Sequence, residues 1–361
     1  MAGNRQHFIP KFLSKGFFSS IRKKKQNNDQ YYTWVFTKNN HPYETNLINI
    51  GVEKYFYGSS SNGSDLDDII TQHEGPYHIQ LDKLRQQTSS CPLESAFPSD
   101  FFAHLMTRTQ NIRNSFQDVT HTVFQTLNNI QRDPKKNRQT VSNFIKNNPE
   151  QFKTQMLEVL GKKCPSLPEH YKQIVLKEYL ISFPDCMPDS FFNQISSSYS
   201  AAYEAIKGDI AEHVKKAHIS ALLAEGIAPN KFVRKFRDFH WSLIVGNKDT
   251  FILGDIGTVP QYGPELVFKT TISPLDDLKQ VFLPISDSHL IMGKINQKLP
   301  TPNFDQINKA SASLSKHYFI STKNREKETK LSGIISSTFA PYTKNEISEL
   351  EKNLIEMKNQ F

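Results

Sequence analysis

A chain of 361 residues, 37% hydrophobic and 22% charged, holds enough apolar material for two or three domains, or for one large domain with an insertion. No run of about 18 apolar residues is present, which excludes a membrane-spanning helix and a membrane partner of that kind, and the basic N-terminus lacks the apolar stretch of a secretory signal. A net charge of +8 points toward polyanions, nucleic acid foremost, while Cys91, Cys164 and Cys186 lack the spacing of a metal site or disulfide framework and fit a reducing cytoplasm.

The chain opens on "GNRQHFIPKFLSKGF". His7 and Pro10 head an apolar run of Phe8, Ile9, Phe12 and Leu13, framed by Arg5, Lys11 and Lys15. Two readings of His7 stand side by side: a packing imidazole on a docked terminus, or an acid or base whose pKa the surrounding cations lower. The basic excess continues through Arg22, Lys23, Lys24 and Lys25 with no acid before residue 29. "SSIRKKKQNNDQ" reads as a basic loop and "YYTWVFT" as a strand, being aromatic and β-branched. "YETNLINIGVEKYFYG" alternates partially, and "GSSSNGSD" closes this part as a flexible loop.

From Asp65 to about Asp238 the pattern is helical. Leu66, Ile69, Ile70, Ile79, Leu81 and Leu84 follow a period near 3.6, with Pro76 expected to interrupt it. "QQTSSCPLESAFPSD" reads as a linker whose last three residues cap the next helix. On that helix Arg108 and Arg113 lie five residues apart, about 140° round the axis. Arginines entering an apolar face need acidic or phosphate partners, and Glu74 is the protein partner at hand. Residues 131–168 are polar, punctuated by Pro134, Pro149, Pro165 and Pro168, and carry the basic cluster "RDPKKNRQ"; they read as an insertion. One long helix is expected over Ser190–Glu225. "RKFRDFHW" then sets Arg234 near His240, a spacing that suits an arginine–histidine pair at a scissile phosphate.

The last third turns to strands: "HWSLIVGN", "TFILGD", "ELVFKTT", "QVFLPIS" and "HLIMGKI". Asp255 closes the second, with Glu265 and Lys269 expected on one face of the third, an off-pattern version of a metal-dependent nuclease core. "NFDQINKASASLSKHYF" reads as a helix, and a final amphipathic helix aligns Ile347, Leu350, Leu354 and Met357. The class is α+β: a mixed sheet from N- and C-terminal strands around a large central helical block. Residues 1–130 and 231–361 form the expected core, and 131–230 a helical insertion. A phosphate-binding glycine loop, a dinucleotide fingerprint, a kinase signature and a nucleophile-elbow serine are all missing from the sequence.

The order "RQHFIPKFLSKGF", "VEKYFYG", a helix bearing Glu74, "RTQNIR", "HWSLIV…TFILGD", "VFLPIS…HLIMG" and "QINKASASLSKHYFIST" resembles domain-of-unknown-function family 4238. His7 and Pro10 match its first motif, Glu53, Phe56 and Tyr57 its second, Glu74 its third, and Arg108 and Arg113 its fourth. Trp241, Asp255, Pro284, Ser286 and Asn308 follow in order. Gly254 departs from the usual Ser or Thr, "DIGTVP" from a compact Asp-x-Pro-Val, and "PISDSH" lacks the second proline.

Some members of that family are stand-alone bacterial anti-phage defence proteins, so the resemblance implies a cytoplasmic defence effector. Its expected partner is nucleic acid, RNA or DNA, with a phage component as trigger. Phosphodiester cleavage is the expected chemistry. A non-enzymatic sensor of a phage component, or a nucleotide- or tRNA-modifying enzyme, are the alternatives. In the cleavage reading His7, Glu74 and Asp255 handle protons, while Arg5, Gln6, Lys11, Arg108, Arg113, Ser286 and Asn308 contact substrate. A divalent metal is compatible with this chemistry, but no residue spacing indicates one, and nothing in the sequence sets the oligomeric state.

Overall fold

Leu278–Pro284 and His289–Lys294 are buried at almost every position and carry the apolar runs Val281–Leu283 and Leu290–Met292, the pattern of strands covered on both faces. They form the centre of a six-stranded antiparallel sheet in the order Val267–Phe268, Val259–Tyr262, Leu278–Pro284, His289–Lys294, His240–Val245 and Cys91–Leu93. The computed structural model describes residues 5–23, 29–58, 64–182, 187–225, 227–269, 275–338 and 344–356. Lys24, Lys25, Cys186 and residues 59–63 of the serine-rich loop lie outside them.

The chain divides into two units, Met1–Phe116 with Val214–Pro341, and Gln117–His213 with Tyr342–Phe361. In the first, a second antiparallel sheet joins the two ends of the chain, as expected from the sequence. Gln30–Thr37 pairs with Tyr318–Ser321, setting Phe36 opposite Phe319 with rings stacked at 4.9 Å. Ser20–Arg22 and Tyr43–Asn46 also pair with Gln30–Thr37, and Leu253–Gly254 with Tyr318–Ser321. Arg5–His7 and Val52–Lys54 form a third, two-stranded sheet. The class is α+β with a large helical block; the strands expected to share one mixed sheet form three antiparallel ones among the described residues.

The N-terminal segment is held at its own carbonyls. Arg85, at the end of helix Ser64–Arg85, donates to the Phe12 and Leu13 carbonyls at 2.8 and 3.1 Å and to the Ile285 carbonyl at 2.9 Å. A Cβ at Gly16 would stand 2.1 Å from the Ile285 oxygen, so only glycine lets the segment lie on the 284–289 hairpin turn. Phe8, Ile9, Leu13 and Phe17 are buried with Phe101, Phe102, Phe236 and Trp241 in the main core.

Several helix boundaries differ from the sequence reading. Pro76 sits within Ser64–Arg85 without ending it. Ala96–Arg108 starts before the expected "PSD" cap, and it ends where Thr109 turns extended at ψ 151°, so Arg108 and Arg113 lie on either side of a break. Pro134 and Pro149 each begin a helix, Pro134–Asn147 and Pro149–Lys163, where proline lacks only an N–H that has no helical partner. The long helix expected to Glu225 is two, Asp189–Ile206 and Ile210–Glu225, parted at Gly208. In the second unit Pro134–Asn147 packs against Lys344–Glu356, where Lys136 pairs with Glu351 at 2.5 Å, and Arg138 pairs with Asp189 at 2.7 Å.

Candidate functional site

Arg108 closes helix Ala96–Arg108 and is 1% exposed. A guanidinium keeps its charge in a protein, so burial demands partners. Its Nε–H donates to the Tyr57 hydroxyl at 2.9 Å. One terminal nitrogen donates to Glu74 and to His104 Nε2, the other to the main-chain carbonyl of His7. His104 Nδ1 faces the Ile227 carbonyl, which can only accept, so Nδ1 carries the hydrogen and Nε2 offers its lone pair to the arginine. Burial holds this imidazole down at about 4. Glu74, with its side chain 17% exposed, is where the cluster reaches solvent.

Arg113 repeats the arrangement beyond the helix break. Its guanidinium lies 3.6 Å over the Phe56 ring, donates to the Phe56 carbonyl at 2.8 Å and meets His218 Nδ1 at 3.4 Å. His218 Nε2 lies 2.7 Å from the Thr107 carbonyl, so it donates there and presents a lone pair to Arg113. Burial, with Arg113 alongside, holds His218 at about 4. Each buried arginine thus has a neutral histidine as an acceptor.

The first strand supplies backbone as well as side chains. The His7 carbonyl accepts from Arg108 and, at 3.4 Å, from the Tyr57 hydroxyl. The imidazole Nε2 is buried without a hydrogen-bond partner among the described residues. Burial, then Arg108, Lys11 and Arg5, hold His7 at about 4, so it is neutral at neutral pH and a weak base. Gln6 accepts from the Tyr57 N–H at 2.6 Å and Arg5 donates to the Ile48 carbonyl and to Asn49, so both fasten loops. Asp67, with its pKa raised by burial against the pull of Arg108, borders the same guanidinium. Gln6, His7, Phe56, Tyr57, Glu74, Arg108 and Arg113 therefore converge, but the arginines are committed to protein acceptors. Glu74 serves Arg108, not the His7 imidazole.

The remaining expected residues stand apart from this cluster. Asp255 is buried, and its carboxylate accepts the N–H groups of Lys316, His317 and Tyr318 at 2.9, 2.6 and 3.2 Å. Burial pushes its pKa up while these N–H donors pull the other way. Asn308 clamps the Thr250 carbonyl and the Ile252 N–H. Ser286 bonds His289 Nδ1 at 2.9 Å within its own hairpin turn. Lys11 is exposed beside a cavity of about 360 Å³ that Lys15, Asp29 and His78 also line. Glu265 falls in the turn before Val267–Phe268, so it does not share a strand face with Lys269.

A further group of cations stands elsewhere. Helix Asn230–Arg237 borders a groove of about 600 Å³ lined by Lys231, Arg234, Lys235 and Arg237, with Asp238 and Asp276 as its acids. None of these four cations makes an ion pair among the described residues. Arg22, Lys136 and Arg138 of the other basic stretches are paired with Glu44, Glu351 and Asp189. His240 does not line the groove; its Nδ1 meets Gln297 at 3.2 Å.

Asn230 and Arg237 also border an adjoining cleft of about 390 Å³, whose walls include Leu222, Ile227 and Val233 and whose polar groups include His73 and Asp100. Sequence reasoning passed over His73, Tyr77 and Asp100. The four-residue step from His73 to Tyr77, which stacks side chains along one helix face, was the signal available.

The family described as "protein of unknown function (DUF4238)" matches residues 5–330. No curated protein and no solved structure matches the chain.

Proposed function

The chain belongs to the DUF4238 family, and from that premise we propose that it acts on nucleic acid through the cationic groove of helix Asn230–Arg237, as a defence effector directed at phage. The groove carries this reading: four cations that have no carboxylate partner among the described residues line it, on a chain of net charge +8. Such a surface gains affinity by releasing the counterions of a phosphate backbone. Phosphodiester cleavage is the activity proposed for it. The non-enzymatic reading, a sensor that binds and signals, draws support from the full engagement of Arg108 and Asp255 by protein acceptors and donors.

Binding to short single-stranded RNA, single-stranded DNA and duplex DNA, measured against salt, tests the reading. The double substitution Lys231→Glu/Arg234→Glu should weaken binding and lower the slope of log affinity against log salt by about two. Unchanged affinity and slope would remove the groove as the contact surface. A phage-plating assay carries the defence part: the same double substitution should abolish protection.

A further inference from the structure

We infer that the cleft adjoining the cationic groove is a ribonucleotide site in which His73 acts as general base on a 2′-hydroxyl, an inference that rests on the nucleic-acid reading above. Tyr77 links His73 to Asp100: its hydroxyl lies 2.7 Å from His73 Nε2 and 3.5 Å from the Asp100 carboxylate. A carboxylate only accepts, so the phenol donates to Asp100 and accepts from His73 Nε2–H. That leaves the lone pair on Nδ1, which no described residue engages, on a side chain that lines the cleft. Burial and the neighbouring His104 keep His73 below its usual pKa, so the imidazole is neutral at neutral pH.

The elements that carry this histidine are anchored. Glu74, the next residue, is tied to Arg108, and the His104 ring centre lies 5.7 Å from that of His73. The converging family residues thus act as the mounting of the base rather than as the base itself. Leu222, Ile227 and Val233 give the cleft an apolar wall that suits a nucleobase, and its volume falls within the range of small-ligand sites. Arg237 borders both cleft and groove, where a phosphate would pass from one to the other.

Among the described residues no serine, threonine or cysteine lines the cleft, so these supply a base without a nucleophile. A ribose 2′-hydroxyl supplies one. His73 Nδ1 takes the hydroxyl proton as the 2′-oxygen bonds to phosphorus. The phosphorus–O5′ bond breaks to give a 2′,3′-cyclic phosphate, and the departing 5′-oxygen takes a proton from water. His73 returns its proton to the resulting hydroxide, and Arg237 balances charge on the phosphoryl oxygens.

The test uses the full chain and a short single-stranded RNA, its all-2′-O-methyl counterpart and the matching DNA. The parent protein should bind all three and cut only RNA, leaving 2′,3′-cyclic ends. His73→Gln should bind RNA as before and cut about 10²-fold more slowly or worse. Tyr77→Phe, which keeps the ring and removes the link to Asp100, should lower turnover and leave affinity unchanged. RNA bound but uncut by the parent, cutting of the 2′-O-methyl strand, or undiminished cutting by a folded His73→Gln would overturn the inference and leave the nucleic-acid reading standing. Should His73→Gln not fold, the modified strand still decides. Failure of the parent to bind any of the three strands overturns both.

Discussion

Arg108 donates to the main-chain carbonyl of His7, 101 residues away in sequence, and not to that histidine's imidazole. The bond ties the end of a core helix to the first strand by an atom that every residue type possesses. It explains how a segment near the chain's start, where chains usually fray, is docked. It also shows that the two residues meet for a reason other than shared proton chemistry.

Arg108→Ala should accordingly act on stability first. It removes the partner of a part-buried carboxylate, strands His104 Nε2, and leaves the Tyr57 hydroxyl and the His7 carbonyl with only each other, at 3.4 Å. Breaking a buried pair from one side costs about 3–5 kcal/mol. Urea unfolding should show that loss, and trypsin should cut faster at Arg5 and Lys11. Glu74→Gln with Arg108→Met, which removes both charges, should recover part of it. A recovery of nothing would mean that the ion pair contributes little beyond the carbonyl bond.

Acid should unfold the first unit through its neutral histidines. His104 and His218 stand at about 4 in the folded chain against 6.5 when free, and burial is the main cause for both. Above pH 6.5 neither state binds the proton. Below it the unfolded chain takes up protons that the folded chain refuses until near pH 4, so stability falls through that window. The slope reaches about 1.4 kcal/mol per pH unit for each histidine. His7, also held at about 4, adds in the same direction. His218→Gln should flatten the slope by roughly one proton, read as unfolding free energy against pH.

Gly254 departs from the serine or threonine usual at its position in the family resemblance, and the packing here shows why. A Cβ there would stand 2.3 Å from Ser315 Oγ and 2.8 Å from the Ser311 carbonyl. Ser311 Oγ accepts the Gly254 N–H at 3.1 Å, so helix Phe304–Leu314 lies directly on this strand. Gly254→Ser should lower the melting temperature by several degrees, overpacking costing about 1–3 kcal/mol. Ser315→Gly in the same chain should restore only part, since the Ser311 carbonyl remains.

What the sequence revealed follows from which interactions are local. The strands Leu278–Pro284 and His289–Lys294 were readable because burial on both faces selects short apolar runs, here Val281–Leu283 and Leu290–Met292. Helix Phe304–Leu314 was readable from its own residues, and its start is fixed by a capping box between Asn303 and Gln306. A pairing of Glu74 with one of the two arginines was expected, since an arginine on an apolar face needs an acidic or phosphate partner, and the structure pairs it with Arg108. The helix break at Thr109 left no such mark, because nothing in "TRTQNIR" forbids a continuous helix. The match of Arg113 to His218 joins segments 105 residues apart and depends wholly on tertiary packing. His73 was overlooked because its partners, one helical turn away and on the next helix, look ordinary in sequence.

Asp255 provides the sharpest separation of structural from chemical roles. Its carboxylate binds three successive N–H groups at the entry to strand Tyr318–Ser321, and the Asp255 N–H returns a bond to the Tyr318 carbonyl at 3.1 Å. Asn in its place offers one acceptor oxygen and turns an amide N–H₂ toward main-chain donors. At least one buried donor is then left unpaired, a loss of about 1–3 kcal/mol. Asp255→Asn should therefore lower the unfolding midpoint, while nucleic-acid binding per folded molecule stays at the parent level. A folded Asp255→Asn that loses cleavage while keeping parental stability would return this carboxylate to the reacting atoms, since a purely structural acid cannot lose activity without losing stability.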